Sequence, residues 1–256
     1  MWSRAQLKEQ AKQVLRKYYW IAFLVTLVAG ILGGSSSGGA PSFNFNSNRF
    51  DRGDLPWRGG SFFESQDFVN ALPAILAGLF VGGFLAIIAI AIGLAFRLFV
   101  GGPIEVGMNR YFLEARQDRS DFANLFVMFR SGSYMSVVKA TGWRMLFTWL
   151  WTLLLIIPGI IMGYAYSMMP YLQADNPSLD YRRAMDLSKA MTEGHKWNIF
   201  VLDLSFIGWY LLGLLACCIG VIFVTPYEQA TKAELYAALR QNALQSGLLR
   251  PEDVNL

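Results

Sequence analysis

Asp203 is the residue whose type and position most demand chemistry: a carboxylate six residues after Trp197, inside an otherwise apolar run. An ionisable group in such a setting is costly and by default marks a functional site, with Arg144, Arg97 or Lys196 as candidate partners. The competing reading is structural, in which one of those cations, or Ser205 and Trp209 as donors, holds the carboxylate to lock helix packing. Glu105 and Glu228 make a second constellation, since each follows a proline, Pro103 and Pro226, by two residues. They read either as an equivalent pair lining a central path or as groups that cap and pair locally. His195, the single histidine, lies between Gly194 and Lys196-Trp197. It titrates near neutrality, which suits a catalytic base or a pH sensor, or it is an interfacial residue at the start of a helix.

Other chemistry is excluded more directly. Cys217 and Cys218 are adjacent within an apolar stretch and read as small buried hydrophobes, neither a disulfide framework nor a metal site. Gly101-Gly102-Pro103 has neither the spacing nor the strand context of a phosphate-binding loop. Ser188 and Ser205 lack a histidine at any recognisable spacing. No catalytic, metal or cofactor site is therefore expected, and the chain reads as a non-enzymatic protein.

The elements that must carry these residues follow from composition. Of 256 residues, 54% are hydrophobic and 16% charged, against about 25% charged in soluble domains. Residues 68–96, 145–174 and 204–227 contain no Asp, Glu, Lys or Arg, and runs of about 18 or more such residues read as membrane spans. The net charge of +4 resides in hydrophilic segments, where it suits anionic lipid headgroups. No basic stripe with interleaved aromatics argues for nucleic acid.

Four apolar regions emerge: 18–32, opened by Tyr18, Tyr19 and Trp20; 71–100; 137–171; and 197–224. Ahead of them, residues 3–17 form an amphipathic helix with capping-box spacing at Ser3 and Gln6 and an apolar face of Leu7, Ala11, Val14, Leu15 and Tyr18. Similar helices are expected over 120–130 and 178–193, lying against the bilayer. Residues 33–70 read as a flexible external loop and 241–256 as a C-terminal tail, with 18–240 as the membrane domain. The basic, apolar, then Gly/Ser-rich order near the N-terminus also has the shape of a signal peptide, but no Ala-x-Ala cleavage site follows.

The charge-free run 145–174 would make a helix of about 45 Å, longer than the roughly 30 Å hydrocarbon core. A hairpin at Pro158-Gly159 resolves the excess. Folding the third and fourth apolar regions as hairpins gives six spans and places 17 Lys/Arg inside and 3 outside, against 13 and 7 for four simple spans. The positive-inside rule favours six, with both termini cytoplasmic. An internal echo points the same way: Pro103-Ile104-Glu105, then Tyr111 and Arg116, is answered by Pro226-Tyr227-Glu228, then Tyr236 and Arg240.

Across Leu154 to Ile161, the Ala184-x-x-x-Ser188-x-x-x-Thr192-x-Gly194-His195-Lys196-Trp197 run and Leu204 to Trp209, the sequence resembles a family of uncharacterised bacterial integral membrane proteins defined only as a domain of unknown function. The resemblance implies a polytopic inner-membrane protein and supplies no catalytic residue, substrate or cofactor. A weaker similarity runs to the membrane domain of some bacterial glycerophosphodiester phosphodiesterases, whose chemistry belongs to a separate barrel this chain lacks.

The expectation is thus an all-α, multi-pass cell-membrane bundle of six transmembrane helices with interfacial amphipathic helices. Its partners would be membrane lipids and a membrane protein, not nucleic acid. A small-molecule transporter or permease using Asp203 is the alternative, and a membrane hydrolase acting through His195 a third.

Overall fold

The computed structural model describes residues 3–33, 66–119, 121–215 and 219–255, and among them every regular element is helical. Cys217 and Cys218 and most of the 33–70 loop lie outside the described residues. The chain forms two units, residues 41–96 and the remainder. The first holds helix α2 (Gln66–Phe96), whose side chains from Phe80 onward are exposed and almost wholly apolar.

The larger unit is built around α3 (Gly102–Ala115), in which nearly every residue is buried. A π-helical turn, Arg97–Gly101, precedes it, and Pro103 occupies the first turn, where a missing N–H costs nothing. Around α3 pack α1 (Arg4–Ile31), α5 (Tyr134–Leu154), α7 (Met169–Asp175) and α10 (Ile219–Gln245). The short α4 (Val127–Arg130) follows a 3-10 turn over Phe122–Phe126, which also abuts α3. Gly107 permits that approach, because a Cβ there would overlap the Leu125 carbonyl.

Helix α1 begins as its sequence predicts, with Ser3 Oγ accepting the Gln6 N–H at 3.2 Å. It then bends at Tyr18, whose backbone leaves helical values at φ −125°, ψ 22°. The bend falls where the amphipathic lead-in passes into the apolar segment. The amphipathic face does not look outward, however: Leu7, Ala11 and Leu15 are buried in the protein core. The same correction applies at Leu125 and Met128 and at Ala184, Leu187 and Met191 of α8 (Tyr181–Thr192). All three helices expected to lay an apolar face on the bilayer spend it on protein, because each protein contact removes the same apolar area from water that lipid would.

Both expected reversals are present. Helix α5 turns at Leu155, three residues ahead of Pro158, and α6 (Ile156–Ala165) packs back along it. Gly159 is the contact point, since a Cβ there would sit 2.5 Å from Thr152 Oγ1 and 2.6 Å from its Cα. Helices α9 (Lys196–Leu215) and α10 pair likewise, with Gly213 and Gly220 meeting backbone to backbone. Yet α6 has only 10 residues, about 15 Å of rise. Among the described residues, two helices are long and apolar enough to cross a membrane: Arg4–Ile31, with mean hydropathy 1.5, and Phe80–Ala115, with 2.4.

The C-terminal segment packs onto the helices. After α10 the chain turns at Gly247 (φ +73°), buries Leu249, and the Asn255 N–H reaches Asp175 Oδ1 at 2.8 Å.

Candidate functional site

The proline-glutamate motifs stand on α3 and α10, which pack against one another. Each glutamate is buried and neutralised by its own cation. Arg144, from α5, donates two hydrogen bonds to Glu105, Nη1 to Oε1 at 3.0 Å and Nη2 to Oε2 at 2.8 Å. Arg97 Nη2 approaches the same Oε2 at 3.5 Å. The planar guanidinium fork suits this two-point contact, which an ammonium does not reproduce.

On the other side, Lys232 Nζ donates to Glu228 Oε1 at 2.6 Å from one helical turn away. The Tyr210 hydroxyl donates to the other oxygen, Oε2. The same Lys232 Nζ lies 3.7 Å from Asp203 Oδ1, so one ammonium serves two carboxylates. Tyr164 stands beside Asp203 as well. The partner of Asp203 is therefore neither Arg144, Arg97 nor Lys196. Both arginines are engaged by Glu105, and the antiparallel pairing of α9 with α10 brings Lys232 to Asp203 instead. The Ser205 hydroxyl is turned elsewhere, donating to the Leu202 carbonyl at 2.5 Å and accepting from Lys8 of α1 at 2.7 Å.

Tyr171 of α7 joins the two halves. It is buried, feels the charges of Glu228, Glu105 and Asp203, stacks on Tyr236 at 5.6 Å and donates to Gln229 Oε1 at 3.4 Å. Nothing in the local sequence around Tyr171 announces this position. Lys232 was more legible, because Glu228 and Lys232 have the four-residue spacing that places two side chains on one helical face.

Below this level the echo is completed by further pairs. Arg116 Nε meets Glu234 Oε1 at 2.7 Å, and Arg240 meets Asp175 Oδ2 at 3.0 Å. Tyr236 donates to that same Asp175 oxygen at 2.9 Å. His195 sits apart from Asp203, in the turn before α9. Its N–H bonds to the Thr192 carbonyl at 3.0 Å and its carbonyl accepts from Ile199. The turn is formed by Gly194 at φ +74°, a conformation that favours glycine. Eight residues of helix, about 12 Å, separate His195 from Asp203.

The site is therefore a buried ladder of matched charges between helices. Among the described residues no cluster of His, Cys, Asp and Glu is arranged to hold a metal ion. Removing a partner from such a pair leaves an uncompensated charge in a low dielectric, so each pair disfavours arrangements that separate its members. No curated protein and no solved structure matches the chain, and the similarity to phosphodiesterase membrane domains finds no counterpart among the matches. One family model does match, over residues 61–243, and by it the chain belongs to the family described as protein of unknown function (DUF975).

Proposed function

We propose that this protein is a multi-pass membrane component without enzymatic activity, which seats apolar helices among lipid acyl chains and presents a polar, well-packed base to the cytoplasm. The observation that carries this reading is the distribution of exposed apolar side chains in the larger unit. Trp149, Leu153 and Ile157 are 72%, 73% and 72% exposed, as are, to a lesser degree, Leu146, Leu150, Leu154, Leu155 and Ile160 of the same hairpin and Leu204, Ile207, Leu211 and Leu212 of α9. Soluble monomers rarely expose contiguous apolar patches beyond a few hundred Å². The base is of the opposite kind, with buried Tyr111, Tyr171 and Tyr236 and exposed Arg182, Asp186 and Lys189.

The charge ladder supports a structural role for Glu105 and Glu228, since each is held by a cation within one unit of the fold. The function is then to organise lipid, or a partner protein within the membrane, through the apolar surface. Alkaline carbonate washing of membranes from expressing cells tests the placement. Retention in the pellet is expected, and release into the wash would remove the reading.

The transport reading keeps one specific support: Lys232 is shared between Glu228 and Asp203, and Asp203 Oδ1 accepts no hydrogen bond. A pair of carboxylates around one ammonium can exchange a proton or a cation with modest rearrangement. Flux into proteoliposomes, compared between wild type and Asp203→Asn, separates this reading from the first. Equal, background-level flux of both proteins argues for the non-transporting component.

A further inference from the structure

We infer that the α5–α6 and α9–α10 hairpins are re-entrant: they enter the bilayer from the side of the polar base, occupy one leaflet, and end inside it. This rests on the membrane placement proposed above and concerns depth alone. The partner is the acyl-chain layer of the base-side leaflet.

The depth follows from where water must stop. Helix α8 carries Arg182, Asp186 and Lys189 on its exposed face, so that face stands in water or among headgroups. Both ends of α8 are fastened to the foot of the first hairpin. Tyr181 stacks on Trp143 of α5 with centroids 5.8 Å apart, and Ser188 Oγ donates to the Ala165 carbonyl of α6 at 2.8 Å. The hairpin turns at Leu155. From Trp143 to the turn is about 18 Å of helix and from Ala165 about 15 Å. Half of a hydrocarbon core of about 30 Å is about 15 Å.

The second hairpin has the same height by an independent landmark. Its last charged groups are Asp203 on α9 and Glu228 on α10, and its arms meet at Gly213 and Gly220. Those distances are about 15 Å and about 12 Å along the helices. Neither hairpin reaches the opposite face from its polar foot.

The one non-helical residue of the first turn is bonded to both flanking helices. Leu155 has extended backbone, φ −160° and ψ 137°, yet its N–H donates to the Trp151 carbonyl at 3.1 Å and its carbonyl accepts from Gly159 at 3.1 Å. Thr152 Oγ1 donates back to the Thr148 carbonyl at 2.8 Å. Non-helical backbone at membrane depth requires just such internal satisfaction. Leu153, Leu154, Leu155 and Ile157 then face outward in every direction around the turn, with no charged residue from 145 to 174.

Re-entrant hairpins return the chain to the side from which it entered, as two complete crossings would. The gathering of basic residues on one side is therefore satisfied equally by both arrangements, and helix length decides between them.

The test uses thiol labelling with a membrane-impermeant maleimide, in intact spheroplasts and in inverted membrane vesicles. Single cysteines at Leu155→Cys and Ile157→Cys are placed in a Cys217→Ser/Cys218→Ser background, with Lys189→Cys as the base-side reference. The wild-type chain, whose two native cysteines fall between α9 and α10, is labelled in parallel and needs no substitution. The expected result is reaction of Lys189→Cys in inverted vesicles only. The turn positions and the native cysteines react from neither side until detergent is added. Reaction of Leu155→Cys or Ile157→Cys in spheroplasts would mean a completed crossing and overturn the inference. Reaction of those positions in vesicles would mean a tip in water and overturn it equally. Release of the protein by carbonate would instead defeat the membrane placement on which the inference stands.

Discussion

Arg144 grips both carboxylate oxygens of Glu105, at 3.0 and 2.8 Å, and so ties the first helix of the α5–α6 hairpin to the central helix α3. The Glu105 side chain is only 2% exposed, which makes the pair asymmetric to mutation. Glu105→Gln or Arg144→Ala strands one buried group, and the expected loss is about 3–5 kcal/mol. The double variant Glu105→Met/Arg144→Met removes both charges and is expected to recover much of that loss. Thermal unfolding of the detergent-solubilised protein checks the order, and equal damage from single and double variants would show the pair does not act as a unit.

Lys232 should tolerate change less well than Asp203. Replacing it by Met abandons Glu228, which it holds at 2.6 Å, as well as Asp203 at 3.7 Å. Asp203→Asn leaves the Glu228 contact in place, and its side chain is 29% exposed. The expected costs are about 3–5 kcal/mol for Lys232→Met and under about 1 kcal/mol for Asp203→Asn. The comparison is made by denaturant titration in detergent, and a larger effect at Asp203 would reverse the assigned order.

How far these relationships were visible in the sequence depends on whether they are local. The capping of α1 by Ser3 follows from spacing within a few residues, and the reversal of the two long apolar regions from their length, Pro158-Gly159 and the placing of basic residues along the chain. The partner of Asp203 depends on α9 and α10 lying side by side, which a list of nearby cations does not reveal. Hydrophobic periodicity marked α1, the 3-10 turn with α4, and α8 correctly as one-sided helices. Periodicity reports an apolar face but not what covers it, so protein was mistaken for lipid at Leu7, Leu125 and Leu187.

Two glycine-to-alanine changes should move stability in opposite directions. At Gly107 the new Cβ would collide with the Leu125 carbonyl, a backbone atom that moves only with its turn. Such overpacking costs about 1–3 kcal/mol. At Gly208, in α9, nothing lies within 4 Å of the added Cβ, and a mid-helix Gly→Ala gains up to about 1 kcal/mol in helix propensity. Paired melting curves of the two variants decide it. Destabilisation at both positions would mean that the α9 surface is already covered.

The C-terminal segment provides a prediction in pH. Asp253 Oδ2 accepts from Arg183 Nη2 of α8 at 3.0 Å and from the Arg250 N–H at 3.1 Å. Partial burial pushes the Asp253 carboxyl upward, but these two hydrogen bonds and the nearby positive charges outweigh it and hold the group below its usual value of 3.8. A carboxylate depressed in the folded state stabilises above its unfolded value, and the stabilisation is lost as pH falls through the lower, folded one. The clasp is therefore complete at neutral pH and opens only in strong acid, beneath the ordinary carboxylate range. Asp253→Asn removes the charge at every pH and should loosen residues 250–255 even at neutrality. Hydrogen exchange of the Asn255 amide, which is tied to Asp175 at 2.8 Å, reads the clasp directly. Wild type should protect it at pH 7 and down to about pH 4, while the variant should exchange faster throughout. Equal protection in both proteins would assign the anchoring to Asp175 and the buried Leu249 alone.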